Sequence, residues 1–107
     1  MSVTTAIPVK LSISEEVPAF VAKRGLEPYF PSLVNILERM FADATKVTVE
    51  VHHDPEVEGL SWLIFDVYTP MDSSEQVQAA TTEWFRRTAA VCPSHLLTEF
   101  SLSIWRS

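Results

Sequence analysis

The stretch Lys46–Thr69, KVTVEVHHDPEVEGLSWLIFDVYT, reads as two β-strands joined by an acidic loop. In its first arm Val47, Val49 and Val51 alternate with Thr48, Glu50 and His52, the period of two that marks a half-buried strand. The second arm is apolar on both faces, with Leu63, Phe65 and Val67 on one and Trp62, Ile64 and Tyr68 on the other, interrupted by Asp66. Pairing Val51 with Leu63, Val49 with Phe65 and Val47 with Val67 makes three wholly apolar cross-strand pairs, whereas a slip of one residue sets Val47 against Asp66. The first register is therefore expected. A strand apolar on both faces belongs in the interior of a sheet, because at an edge it would invite pairing with other chains.

Working outward, Ile7, Val9, Leu11 and Ile13 alternate with Pro8, Lys10 and Ser12, which predicts a further strand over 7–13. Pro8 cannot donate to a ladder and suits a strand start or an edge. Ser14-Glu15-Glu16, Pro18 and Gly25 supply the cap, first-turn proline and left-handed stop of a short helix from about Val17 to Arg24. A longer helix opens near Pro31-Ser32 and runs to about Ala44. Phe30, Leu33, Val34, Leu37, Met40, Phe41 and Ala44 fall on one face and Asn35, Glu38, Arg39 and Asp43 on the other. The period alone accounts for that stripe as core packing.

Beyond the hairpin, Asp72-Ser73-Ser74-Glu75 has the spacing of a capping box, and Val77, Ala80, Thr81, Trp84, Phe85, Thr88 and Val91 predict the buried face of a helix ended by Cys92-Pro93. Glu83 and Arg87 form a favourable outer pair. Phe100, Leu102 and Ile104, alternating with Glu99, Ser101 and Ser103, predict a last strand from about Leu96 to Trp105. The order is β-α(α)-β-β-α-β within a single α+β domain, residues 1–107. It is the pattern of a ferredoxin-like βαββαβ sandwich: a four-stranded antiparallel sheet, helices on one face, the first helical region split in two, and the first strand central. The alternative is a three-stranded C-terminal sheet with residues 1–13 as an N-terminal arm.

The 107 residues are 47% hydrophobic and 21% charged with only two glycines, enough apolar surface for one core and too much for a disordered chain. The net charge is −6 and the basic residues never exceed a pair, Lys23-Arg24 or Arg86-Arg87. Nucleic acid is thus not expected as a partner, since phosphate neutralisation needs clustered cations. Between Val47 and Phe85 there are eight acids and no Lys or Arg, so a protein partner steered to this half would carry a basic surface. No run approaches the ~18 apolar residues of a membrane span, the start MSVTTAIPVK has no signal pattern, and a lone Cys92 suits a reducing compartment. A soluble cytoplasmic protein is expected, without membrane contact.

Two constellations carry candidate chemistry. His52, His53, Asp54, Glu56 and Glu58 crowd the hairpin tip with types that ligate metal ions or small molecules, yet adjacent strand residues point to opposite faces, and Asp54-Pro55 with Gly59 also suits a plain turn. Cys92 and His95 are separated by a helix-breaking Pro93, and no oxyanion donor or orienting acid accompanies them. No phosphate loop, dinucleotide glycine pattern or zinc-finger spacing is present, so no catalytic residue and no cofactor are expected. The more informative feature is the second face of the sheet, where Trp62, Ile64, Tyr68 and Trp105 would gather. Leaving such a patch in water costs about 25 cal/mol per Å² of apolar area, and something should cover it: the short N-terminal helix folded under the sheet, a second copy, or a small molecule. The expectation is a small interaction or regulatory domain that forms a homodimer through this aromatic face. The alternative is a ligand-binding or enzymatic ferredoxin-like dimer that takes a metal or small molecule in a pocket walled by the same face.

Overall fold

In the computed structural model, which describes residues 11–106, the hairpin forms in the register its side chains demand. Strand β2 (Lys46–His53) pairs antiparallel with β3 (Ser61–Thr69), and Val47↔Val67, Val49↔Phe65 and Val51↔Leu63 lie opposite one another. Around it the chain adds β1 (Leu11–Ile13), α1 (Val17–Lys23), α2 (Phe30–Met40), α3 (Ser74–Val91), a 3-10 segment Ser94–Glu99 and β4 (Phe100–Arg106). The α+β architecture with a four-stranded sheet is as expected, and β3 lies in its interior.

The strand order is not ferredoxin-like. It runs β1-β2-β3-β4, with β1 parallel to β2 and β4 parallel to β3, so the sheet is mixed rather than antiparallel and β1 is an edge strand. Each helical crossover returns the chain to the strand next door instead of skipping one, and the same succession of elements serves both arrangements. The edge position agrees with the exposure of Ile13, which lies beside buried Val49 on the helical side of the sheet and is nevertheless 42% exposed. Nor is the three-stranded alternative realised, since Leu11, Ser12 and Ile13 pair with Val47, Thr48 and Val49, and the amide of Ser14 extends the ladder to the Val49 carbonyl at 2.9 Å. Ile7, Pro8 and Val9 lie outside the described residues.

The helices cover one face. Val47, Val49, Leu63, Phe65 and Val67 are sealed beneath Val17, Phe20 and Val21 of α1, Leu33 and Leu37 of α2, and Trp84 of α3. Phe65 sits at the centre, its ring 6.4 Å from Phe30, 5.4 Å from Trp84 and 6.1 Å from Phe100. Gly25, at φ 75°, ends α1 in the left-handed conformation the sequence reserves for it. Arg24 then ties this helix to distant chain: its guanidinium donates to Glu99 at 2.6 Å and to the Ser61 hydroxyl at 3.0 Å, and lies 4.6 Å over the Phe20 ring.

Helix α3 and the segment after it depart from expectation at three places. Its cap is Ser73, whose hydroxyl accepts from the Gln76 amide at 3.1 Å, while the Gln76 side chain accepts from the Asp72 amide; the box expected from Asp72 to Glu75 is displaced by one residue. Phe85 and Val91, assigned to the buried face, are 53% and 41% exposed. Trp84 and Phe85 are neighbours about 100° apart on a helix, and only Trp84 meets Phe65 and Phe100. The strand expected from Leu96 begins only at Phe100, because the chain first turns through the 3-10 segment. Among the described residues no helix is long and apolar enough to cross a membrane.

A candidate docking surface on the open sheet face

Side chains alternate across a strand, so the residues that do not face the helices form a second surface. In register order it carries Lys46, Tyr68 and Trp105 in one row, then Thr48, Asp66 and Ser103, then Glu50, Ile64 and Ser101, and finally His52 and Trp62. Trp62, Ile64 and Tyr68 are half-buried by their neighbours, and Trp105 is 53% exposed. The structure therefore brings the four predicted face residues onto one side of the sheet, with Trp62 and Tyr68 about 20 Å apart along β3 at ~3.4 Å per residue.

The aromatic groups are held in place by partners drawn from other strands. Trp105 stacks on Tyr68 with centroids 6.3 Å apart and planes 18° apart, and its indole N–H donates to Asp66 Oδ1 at 2.9 Å. Lys46 Nζ lies 5.5 Å from the Tyr68 ring centroid. At the far end the His52 imidazole rests against Trp62 at 4.8 Å. Asp66, which interrupts an otherwise apolar strand, thus acts as the acceptor that orients an indole 39 residues away. Nothing local in the sequence announces that bond; only the β3–β4 register makes it visible.

The hairpin tip does not converge on a common centre. His52 turns to the open face, while His53 turns to the helical side, where Nε2 lies 2.9 Å from Glu16 Oε2. The Asp54 carboxylate is occupied by its own loop, with Oδ1 accepting from the amides of Glu56 at 2.8 Å and Val57 at 3.0 Å. Glu56 and Glu58 point into solvent. Among the described residues no three His, Cys, Asp or Glu side chains are grouped as a metal would require.

Cys92 is buried, and loss of solvation pushes its thiol pKa upward, which favours the protonated form; His95 is exposed in the 3-10 segment. Among the described residues, clefts beside α1 and α2 lie on the helical side. One of about 290 Å³ is lined by Ile13, Val17, Val21 and Phe30, and one of about 260 Å³ by Phe20, Lys23, Arg24, Val51 and His53. Neither opens onto the aromatic face. No family model, no curated protein and no solved structure matches the chain.

Proposed function

We propose that this protein is an interaction domain that works by binding, and that it self-associates through the open sheet face using Trp62, Ile64, Tyr68 and Trp105. The observation that carries the reading is Trp105: more than half exposed, yet already oriented by a stack and a hydrogen bond. An aromatic group pre-set in this way buries a large area on contact with little further loss of side-chain freedom, which is why Trp and Tyr dominate the energetics of interfaces. Serine and threonine between the aromatics leave room for an incoming side chain, and Lys46, Glu50 and Asp66 place both signs of charge on the same surface. A two-fold axis across the strands would bring Lys46 of one copy toward Glu50 of the other, which makes the face compatible with its own image. The acidic half of the chain, between Val47 and Phe85, would steer a protein partner with a basic surface.

The test is sedimentation of the wild-type chain beside the double variant Trp62→Ser, Tyr68→Ser. The variant should lose mass and the wild type should not. Equal sedimentation of the two would remove the face from consideration as an interface.

A further inference from the structure

We infer that strand β4 is a pairing edge, and that its occupant is β4 of a second copy, running antiparallel across a two-fold axis at Ser103. This goes beyond the face contact proposed above and stands on separate observations. Strand β4 is hydrogen-bonded to β3 along one side, and among the described residues no backbone group from 100 to 106 has a hydrogen bond on the other. Such a row of unpaired N–H and C=O groups is a template for another strand, and natural sheets blunt it with charge, proline, a bulge or brevity. Strand β4 uses none of these between Phe100 and Trp105. The six residues are uncharged and contain no proline, and the register with β3 runs without interruption from Leu63↔Phe100 to Thr69↔Arg106. At the other end of the sheet, β1 offers three residues among those described.

The strand's own sequence identifies a second copy as the occupant. Centred on Ser103, all seven residues overlap: Ser103 faces the partner's Ser103, Leu102 faces the partner's Ile104, Ser101 the partner's Trp105, and Phe100 the partner's Arg106. No pair sets like charges together. Leu102 and Ile104 are only partly covered where they pack on the core, and this register gives each an apolar neighbour on the helical side. In a chain of net charge −6, with Glu50, Glu56 and Glu58 exposed around the hairpin, the uncharged edge is also where two copies approach with least repulsion. The product is a continuous eight-stranded sheet whose open faces merge, with two Tyr68–Trp105 pairs on the same side.

Hydrogen exchange of the full-length chain tests this, read at the amides of 100–106 in dilute and concentrated solution. It is run both on the wild type and on the Trp62→Ser, Tyr68→Ser variant. Edge pairing predicts that the outward amides of β4 slow at least about tenfold on concentration in both proteins. It also predicts that Ser103→Lys, which sets a cation against its own image while leaving the far-ultraviolet dichroism unchanged, abolishes the slowing at low salt and regains part of it at high salt. Amides indifferent to concentration would overturn the proposal, as they would if β4 instead took an extended segment of another protein. Slowing that disappears with the face variant would also overturn it, and would leave face stacking as the sole contact. Ser103→Lys behaving as wild type would refute the two-fold at Ser103.

Discussion

Truncating Phe65 should cost far more stability than truncating Phe85, although periodicity alone assigns both rings to the core. Phe65 is fully buried on an interior strand and is ringed by Phe30, Trp84 and Phe100 at 5.4 to 6.4 Å. Phe65→Ala removes a side chain whose surroundings cannot collapse without disturbing three other rings, so about 3–5 kcal/mol should be lost. That is a large part of the ~5–15 kcal/mol by which a domain of this size is usually stable. Phe85, 53% exposed on α3, should cost about 0.5 kcal/mol or less when replaced by Ala. Urea titration followed by tryptophan emission measures both, with the midpoint shifted and the slope unchanged. Should Phe65→Ala leave no folded baseline, Phe65→Leu should still lose about 1–2 kcal/mol. Equal losses for Phe65→Ala and Phe85→Ala would mean that α3 is rotated from the orientation described, and would refute the packing argument.

Arg24→Met and Glu99→Gln, measured singly and together, should show a coupling of about 1 kcal/mol, because the pair is only a quarter exposed and Ser61 shares the guanidinium; additive effects would make it an idle surface contact. Asp54→Ala should destabilise the hairpin by about 1 kcal/mol through the loss of two amide hydrogen bonds, seen as a lower urea midpoint; no change would show that the loop does not depend on its carboxylate. Hydrogen bonds from Arg86 and then Arg87 hold the Glu83 carboxyl at about 2, below its ordinary 4.5. A lowered folded value means that its stabilising effect is complete above about pH 4.5 and fades as the pH falls toward 2. Glu83→Gln should therefore flatten the acid limb of a dichroism titration, and an unchanged limb would contradict the assignment. Buried with its thiol pKa pushed up, Cys92 should react with an aromatic disulfide reagent only as denaturant opens the fold; reaction in the native state at the rate of a free thiol would contradict its burial.

Residues that interact with near neighbours, or through a strict period, were readable from the chain. The β2–β3 register followed from three apolar pairs and from the cost of placing Val47 opposite Asp66, and the structure reproduces it. The stop at Gly25 and the end of α3 at Cys92-Pro93 were equally local. The grouping of Trp62, Ile64, Tyr68 and Trp105 followed from alternation once β4 lay beside β3. Phe85 was misread for a physical reason: α3 is flanked by apolar residues on more than one side, and which of Trp84 or Phe85 enters the core depends on how the helix is rolled against Phe65 and Phe100. The hairpin-tip residues were legible as a dense polar group but not as a site. The strand sends His52 and His53 to opposite faces, and Asp54 closes its own loop.

The sequence by itself determined the elements, the faces they bury and the pairing of the central hairpin, because hydrophobic period and charge act between residues near in the chain or directly opposite in a two-stranded turn. Only the tertiary structure decided the order of the strands. A helical connection can return to the adjacent strand or skip one with the same succession of elements, and the choice belongs to how the helices pack. With that order came everything that spans the sheet: β1 and β4 as edges, Arg24 joined to Glu99, and Asp66 as the acceptor that holds Trp105 ready on the open face.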